Sequence, residues 1–417
     1  MTTTTTTTTT TPSILTRQPL KTIYILAAIL LEAFIRLPLS ALLYLLLPSL
    51  TRPDPGWTWR QAMGVRLLRA IVHHSAVVEL AVPLSLAPGA EGDRFEVMEP
   101  AAESAAYLGP LHTNDEDTTP RPARIGGTWY PERYHRASAT TDDDDDNNDN
   151  NDNNGKAIVL HFHGGAFVLG DGRERDCGAL ARTMLSTCGA ATISHVFCPQ
   201  YRLASSASPF PAALQDALTA YLHLRRRLRV PARRIVLSGD SAGGNIVNGL
   251  LRYLGTYNHD AEDFPACAWL WSPWTSPALA LVPGRTARSP NYRSDYVSER
   301  FGAWGCRAYY AGRLVDDDDG WITAVAADPF PSPSPVWVQT GARELLFHDN
   351  VEFFEGLRRL NEEKKKRAGG VVGQPCELEI VPHAPHDIAL LGHVLGFSGE
   401  YAEALKKAEA FFQRVRK

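Results

Sequence analysis

The strongest chemical signal in the chain is a serine between glycines, in the Gly-Asp-Ser-Ala-Gly sequence at 239–243. An apolar, β-branched run at 235–237 precedes it, and a helix-like run at 243–254 follows it. A serine on a sharp turn from a strand into a helix is exposed as a nucleophile, and side chains two positions before or after it would collide. The helix start also directs N–H groups at a developing oxyanion. The pattern predicts Ser241 as a nucleophile.

A second glycine motif, His163-Gly164-Gly165-Ala166, directly follows a predicted strand at 157–161. Small residues let backbone amides approach a substrate oxygen closely, as an oxyanion hole requires. Alone, the motif would suit an ordinary glycine turn equally well. Because it precedes a nucleophile turn, we predict that it supplies oxyanion-binding amides. His163 itself is expected to orient the loop rather than to carry protons.

A serine nucleophile needs a base, and the base needs an orienting carboxylate. Glu344 and His386 each follow a predicted strand, in the chain order serine, acid, histidine. Asp349 and His383 are their rivals. Asp349 lies where a helix is predicted to begin, and there it suits an N-terminal cap. His383 follows its strand so closely that the strand's pleat is expected to fix its direction.

The elements that position these groups alternate between strand and helix from residue 156 onward. Strands are predicted at 157–161, 191–197, 235–237, 267–271, 336–338 and 378–381, and helices at 211–228, 243–254 and 350–360. Continuous apolar strands that alternate with helices predict a largely parallel sheet covered on both faces. The interval 272–335 is too long for a single connection, and its Trp, Tyr and Pro content predicts a lid over the site.

With these motifs, the chain resembles the hormone-sensitive-lipase branch of the α/β hydrolases from about residue 157 to its C-terminus. Besides the two glycine motifs, the resemblance rests on Tyr-Arg-Leu-Ala at 201–204 and Pro-Phe-Pro-Ala-Ala-Leu at 209–214. It implies an α/β-hydrolase fold, with a mostly parallel central sheet, helices on both faces, and a lid or cap from the N-terminal region and an insertion at about 273–334. The chain departs from the family pattern at Ala166, which replaces a glycine, and at Glu344, which replaces an aspartate.

The resemblance also implies a serine-dependent carboxylic-ester hydrolase, as an esterase, lipase or deacetylase, that acts through an acyl-enzyme. The implied triad consists of Ser241, Glu344 and His386. The implied oxyanion donors are the amides of Gly164, Gly165, Ala166 and Ala242. No metal or organic cofactor is implied. The alternatives are a non-catalytic small-molecule receptor and a membrane-anchored interaction protein on the same fold.

An apolar segment at 23–47 follows the Thr-rich N-terminus and is long enough to cross a bilayer core of about 30 Å as a helix. Glu32 and Arg36 disfavour a simple span, because placing a charge at the bilayer centre costs about 2.5 to 3.5 kcal/mol. The two charges are four residues apart, in register to pair. Pro38 is expected to interrupt the helix. A membrane span, an in-plane membrane helix and a cap helix over the active site are the open alternatives.

Four regions are predicted along the chain. They are a disordered tail at 1–21, a membrane-associated segment at 22–50, a region at 51–155 with a cap helix, the first strands and a disordered Asp/Asn-rich loop, and the catalytic domain at 156–417. The cap helix is expected at 57–80, with Arg60, Arg66 and Arg69 facing solvent or a membrane surface. The apolar segment, and a resemblance to membrane-associated fungal members of the branch, predict association with the endoplasmic reticulum or another internal membrane.

Composition limits the partners further. The 417-residue chain has a formal net charge of −4, so nucleic acid is not an expected partner. Its six cysteines show no paired spacing, so neither a zinc site nor a disulfide framework is expected. The expected partners are a small hydrophobic ester and a lipid membrane, the latter contacted through residues 23–47.

Overall fold

The computed structural model describes residues 13–102, 106–112, 120–135, 155–258, 260–310, 320–324, 330–367 and 373–416. The strands are β1 (Phe95–Met98), β2 (Ile125–Tyr130), β3 (Ala157–Phe162), β4 (Ile193–Gln200), β5 (Ile235–Asp240), β6 (Cys267–Trp271), β7 (Val336–Gly341) and β8 (Cys376–Val381). The α-helices are α1 (Leu20–Leu31), α2 (Leu37–Leu46), α3 (Pro48–Thr51), α4 (Trp59–Val77), α5 (Glu174–Thr192), α6 (Ala212–Leu222), α7 (Ala242–Tyr257), α8 (Arg285–Arg288), α9 (Glu299–Tyr310), α10 (Phe347–Arg367), α11 (Ile388–Leu395) and α12 (Ser398–Val415).

One sheet contains these eight strands, in the order β1-β2-β4-β3-β5-β6-β7-β8. The β1–β2 and β2–β4 pairs are antiparallel, and the strands from β4 through β8 are parallel. Parallel neighbours end at the same edge of a sheet, where sites of open α/β sheets form. The turns that follow β3, β5, β7 and β8 therefore meet at this edge, and these turns carry the predicted site residues.

The central strands are buried along their whole length. Every residue of β3, β5, β6 and β7 is buried. Because successive side chains of a strand point to opposite faces, both faces of this part of the sheet are covered. On one face, Trp269 and Trp271 contact Phe412 and Tyr401 of α12, with ring centroids 6.4 and 5.3 Å apart. The prediction of a mostly parallel sheet with helices on both faces is confirmed.

The six predicted strands are present; β6 has the predicted bounds, and the other five differ from the prediction at their ends. β5 and β7 each continue three residues further, to Asp240 and Gly341. β4 begins at Ile193 rather than at 191, because α5 continues through Thr192. The longer β5 brings the strand directly to Ser241.

The apolar N-terminal segment forms α1 and α2, joined by a π-helical turn at Glu32–Arg36. The helix is not interrupted at Pro38, contrary to the prediction. The Leu37 amide bonds to the Glu32 carbonyl across the wider π turn, which relieves the clash of a proline ring with the preceding helical turn. By length and composition, Leu20–Leu46 is the one helix in the described part of the chain that could cross a membrane, with a mean hydropathy of 2.0.

The predicted tail is more ordered at its end than expected. Ile14–Thr16 form a 3₁₀ turn, whose Leu15 amide donates to the Ser13 hydroxyl, and α1 begins at Leu20 rather than after residue 21. The remainder of the tail, at 1–12, lies outside the described residues. The Asp/Asn-rich loop at 142–154 lies outside them as well.

α4 lies within the predicted cap helix at 57–80, and Thr58 and Gln61 form a capping box at its start. It packs against α2 and against α9, which belongs to the insertion between β6 and β7. The N-terminal region and the insertion therefore meet along α4.

Two arginines of α4 do not simply face solvent. Arg66 Nη2 lies 2.7 Å from Glu32 Oε2 in the N-terminal segment. Arg69 donates to the Asp295 carbonyl in the insertion, at 2.7 Å. These two side chains link α4 to both of its neighbours, whereas Arg60 is exposed.

Candidate active site

Ser241 occupies the turn between β5 and α7. Its φ of 50° and ψ of −115° form a backbone conformation that L residues rarely adopt, and such strain clusters at functional sites. Glycines on either side make the turn possible. A Cβ on Gly239 would collide with the Gly243 backbone, and a Cβ on Gly243 would collide with the Phe162 carbonyl. The steric reason predicted for the two glycines therefore holds in the structure.

His386, in the turn after β8, lies between Ser241 and Glu344. Its Nε2 is 2.8 Å from Ser241 Oγ, which is a hydrogen bond. Its Nδ1 is 3.6 Å from Glu344 Oε2, an ion-pair distance somewhat longer than a hydrogen bond. Catalytic hydrogen bonds are often long before substrate binds and tighten in the complex. The structure thus brings together a hydroxyl, an imidazole and a carboxylate in the order that a nucleophile, its base and an orienting acid require.

Glu344 is held by two neighbouring side chains. Its Oε1 accepts from Thr340 Oγ1 at 2.5 Å and from Asn350 Nδ2 at 2.8 Å. Because Oε1 is engaged in this way, Oε2 is the oxygen that faces His386. The sequence carries no signal for Asn350, since an isolated asparagine in a helical pattern has no distinguishing spacing.

The two rival residues have other partners. Asp349 lies in the first turn of α10 rather than at its cap, and its Oδ1 is 2.6 Å from Arg285 Nη2. His383 Nδ1 is 3.0 Å from Asp54 Oδ2. The φ of His383 is 61°, so a left-handed turn beyond β8, and not the strand's pleat, sets its direction. Within the described residues, neither rival contacts Ser241.

The predicted oxyanion loop follows β3, and one of its predicted donors needs correction. The Gly164 amide donates to Asp240 Oδ2 at 2.7 Å, so it is already occupied and is not available to a substrate oxygen. The amides of Gly165, Ala166 and Ala242 have no acceptor among the residues that the structure describes. These three amides are therefore the donors that the loop and the helix start leave free.

His163 is placed as a positioning residue. Its Nδ1 lies 2.8 Å from the Gly164 carbonyl oxygen, and its ring stacks on Tyr201 with centroids 4.4 Å apart. The Tyr201 hydroxyl donates to the His163 carbonyl at 2.7 Å. These contacts hold the oxyanion loop in position, which agrees with the orienting role expected for His163.

Helix α9 of the insertion packs directly on the oxyanion loop. A Cβ added to Gly305 would lie 2.7 Å from the Ala166 Cβ, and closer still to the Ala166 carbonyl oxygen. One residue further along the loop, Phe167 stacks on Tyr309 with ring centroids 3.8 Å apart. The insertion therefore supports the position of the loop amides. Sequence analysis did not single out Gly305, because a glycine in a helical run does not reveal its distant neighbour.

Several buried carboxyl groups surround the imidazole. Burial alone would lower the pKa of His386, but the charges of Glu344, Asp295 and Asp387 raise it to about 9. Burial, together with the Asp240 charge, raises the pKa of Asp387 well above its usual range, and burial raises that of Asp240 to about 6. A carboxyl group with a pKa of about 6 is ionised at neutral pH, and the ionised Asp240 accepts the hydrogen bond from the Gly164 amide.

A family model described as alpha/beta hydrolase fold matches residues 159–389, which is more than half of the chain. The chain belongs to this α/β-hydrolase fold family. The match begins within β3, ahead of the oxyanion loop, and ends just after His386, so it includes each of the turns described above.

Two known proteins are similar in sequence to parts of the chain. The chain is 30% identical over 198 residues to the acetyl-hydrolase of Streptomyces hygroscopicus, and the match covers 47% of this chain and 60% of that protein. The chain is 36% identical over 168 residues to the hormone-sensitive lipase of Homo sapiens, and the match covers 39% of this chain and 14% of that protein. The chain therefore spans less than two thirds of the length of either relative.

A crystal structure of an esterase from the bacterial hormone-sensitive lipase family matches the fold with a TM-score of 0.56 at 18% identity. The match covers 87% of this chain and 100% of that one. At this identity the likeness shows the fold, and it confirms the predicted α/β-hydrolase architecture.

Proposed function

We propose that the chain is a serine-dependent carboxylic-ester hydrolase of the hormone-sensitive-lipase branch, with Ser241 as nucleophile, His386 as base and Glu344 as orienting acid. The observation that carries this proposal is the 2.8 Å hydrogen bond from Ser241 Oγ to His386 Nε2, made on a strained turn. A hydroxyl that donates to an imidazole is activated for attack on a carbonyl carbon. The names of the matched relatives, acetyl-hydrolase and lipase, support an ester as the substrate class.

In the first half of the proposed reaction, Ser241 Oγ attacks the ester carbonyl carbon while His386 Nε2 takes the hydroxyl proton. Glu344 Oε2 faces Nδ1, so it favours the tautomer with the proton on Nδ1 and stabilises the imidazolium that forms. The imidazolium then gives its proton to the departing alcohol, which leaves the acyl group on Ser241. In the second half, a water molecule gives a proton to His386 and attacks the acyl carbon. The imidazolium then returns this proton to Ser241 Oγ as the acyl C–O bond breaks, which releases the carboxylic acid.

The proposed oxyanion donors are the amides of Gly165, Ala166 and Ala242. Ala242 is the first residue of the 16-residue helix α7, so its N–H lies at the positive end of the helix dipole. A donor already aimed at the developing oxyanion needs no reorganisation during the reaction, and losing one such donor typically lowers kcat by about 10²- to 10³-fold.

The surroundings of the nucleophile favour a small hydrophobic ester. The Tyr296 ring lies 5.6 Å from the His386 ring, and the Trp274 amide donates to the Ser241 carbonyl at 2.8 Å. Phe167 stacks on Trp274 with centroids 5.6 Å apart. Aromatic side chains next to a buried serine suit an apolar acyl group and exclude water from it. A series of p-nitrophenyl esters of increasing acyl length measures the space available to that group.

The proposed activity is tested with Ser241→Ala and a short p-nitrophenyl ester. Loss of a triad member should lower turnover by about 10⁴-fold or more, since only binding and oxyanion stabilisation then remain. His383→Ala is a matched control, because this exposed histidine pairs with Asp54 instead of the serine. A folded Ser241→Ala protein that retains above about a tenth of the wild-type rate would contradict the assignment.

We also propose that the protein associates with an internal membrane such as the endoplasmic reticulum, with its N-terminal helices in the membrane plane. Large apolar side chains of this segment are exposed, among them Phe34 and Leu39. At the midpoint of the segment, Glu32 lies 2.7 Å from Arg66 and 3.3 Å from His74 of α4. A helix whose midpoint is bound to the globular domain lies along a bilayer surface more readily than across its core. The likeness to membrane-associated fungal members stays a prediction that depends on this segment.

Carbonate extraction tests the membrane proposal with the full-length chain. An in-plane helix predicts that the protein sediments with membranes and is released by carbonate. Complete retention after carbonate would favour a span instead. Recovery entirely in the soluble fraction before extraction would favour the cap-helix alternative.

A further inference from the structure

A cavity of about 510 Å³ lies between the N-terminal helices, α4 and residues 292–300 of the insertion. Guanidinium groups dominate its lining. Its arginines are Arg36, Arg66, Arg69, Arg293 and Arg300. Two carboxylates, Glu32 and Glu299, also line it, so the five positive charges exceed the negative charges by three.

The carboxylates of the cavity are already engaged. Glu32 Oε1 lies 3.0 Å from Arg36 Nη1, and Glu32 Oε2 lies 2.7 Å from Arg66 Nη2. Burial would raise the pKa of Glu32, but Arg36 and Arg66 lower it, so this carboxylate is ionised. Arg69 donates to main-chain carbonyls, including that of Asp295, and carbonyls leave its charge uncompensated. Glu299 Oε1 accepts from the Gly284 amide at 3.4 Å.

Arg293 and Arg300 add two further positive charges to that of Arg69. Both are exposed at the edge of the cavity, and no carboxylate among the described residues forms an ion pair with either. The excess positive charge also affects His73, which lines the cavity. Burial lowers the pKa of His73, and His74 and the positive charges of Arg300, Arg69 and Arg36 lower it further. A cavity with this charge and with free guanidinium forks suits a bidentate anion such as phosphate.

We propose that this cavity binds the phosphate of a phospholipid headgroup. Arg36 links it to the lipid-facing side of the molecule, because the exposed Phe34 and Ile35 lie beside Arg36 in the same helical turn. A headgroup in the cavity would keep its acyl chains next to these apolar side chains. Phosphate recognition is independent of ester hydrolysis, whereas the lipid as its source rests on the proposed membrane association.

The wall of the cavity lies close in sequence to side chains that contact the active site. Tyr292, whose ring lies 4.3 Å from the Arg69 guanidinium, faces the cavity. Asn291 Nδ2 donates to the Glu344 carbonyl at 2.9 Å, and the Tyr296 ring lies beside His386. A headgroup bound in the cavity would therefore contact Tyr292, which is adjacent in sequence to the asparagine that holds Glu344.

The test uses full-length Ser241→Ala protein in an uncharged glycoside detergent, so that no ligand is hydrolysed. Isothermal titration calorimetry compares dihexanoyl phosphatidic acid, dihexanoylglycerol and inorganic phosphate. The altered variant is Arg293→Gln/Arg300→Gln. The matched control, Arg358→Gln/Arg359→Gln, removes the same charge from the exposed side of α10.

We expect phosphatidic acid to bind, dihexanoylglycerol not to bind, and the Kd for phosphatidic acid to rise tenfold or more in the cavity variant. The control should stay within twofold of the parent, and Arg293→Lys/Arg300→Lys should recover part of the loss because it keeps the charge. Equal binding by the cavity variant and its parent, equal losses in both double variants, or equal binding of dihexanoylglycerol would each overturn the site. Inorganic phosphate that binds as tightly as phosphatidic acid would overturn the lipid as its source.

Discussion

Replacing Gly305 by alanine tests whether α9 sets the position of the oxyanion loop. The new methyl group would lie 2.7 Å from the Ala166 Cβ and closer still to the Ala166 carbonyl oxygen, whereas ordinary contact begins at 3.4 Å, so helix or loop must move by roughly 1 Å. A misplacement of about 1 Å can lower the rate by about 10²-fold. Because the Ala166 amide is a proposed oxyanion donor, we expect kcat to fall by about ten- to a hundredfold.

The matched control is Gly302→Ala, three residues earlier in the same helix. A Cβ there would lie 3.2 Å from the Ala280 Cβ, a much smaller overlap. Both variants gain similar helix propensity, so they differ mainly in what the methyl group meets. Steady-state kinetics on p-nitrophenyl butyrate should show a lower kcat for Gly305→Ala with a smaller change in KM, and near wild-type values for Gly302→Ala.

Thermal unfolding monitored by circular dichroism distinguishes a displaced loop from a destabilised protein. A folded Gly305→Ala enzyme whose kcat lies within threefold of wild type would refute the reasoning, since the contact would then not position the donors. Equal losses in both variants would refute it too, because α9 would then act through overall packing.

Three further predictions concern the triad. Glu344→Gln should lower kcat by about 10⁴-fold, because the amide favours the wrong tautomer of His386, whereas Asp349→Asn should retain most activity; the reverse ranking would make Asp349 the acid. His386→Ala should be as damaging as Ser241→Ala, and His383→Ala should be mild, as p-nitrophenyl ester hydrolysis will show. Catalysis needs the neutral imidazole, so kcat/KM should rise with pH through a midpoint above 6.5 and toward 9, and Glu344→Gln should lower that midpoint in its residual activity.

Local patterns predicted the elements and the turns that carry the proposed triad. The β-branched run at 235–237, with the glycines around Ser241, fixed the strand, the turn and the helix start, because each rests on near neighbours in sequence. The same holds for His386 and Glu344, each placed just beyond a strand. The pairing of Glu32 with Arg36 was also predictable, since a four-residue spacing is local.

Contacts between distant segments could not be predicted in this way. The Gly164 amide was expected to be free, but it donates to Asp240, 76 positions away in sequence. The packing of Gly305 on Ala166 also depends on how the insertion folds back over the sheet. His383 adopts a left-handed turn and pairs with Asp54, 329 positions away in sequence, and no local pattern predicts this pairing.

The most direct test of the central claim is to map the site of covalent modification by a fluorophosphonate. Such a reagent reacts with a serine that is activated by a neighbouring base. Intact-protein and peptide mass spectrometry should find one adduct, on Ser241, and the adduct should be absent from Ser241→Ala and strongly reduced in His386→Ala. An adduct on another residue, or no adduct on the folded wild-type protein, would contradict the proposal that Ser241 is a catalytic nucleophile.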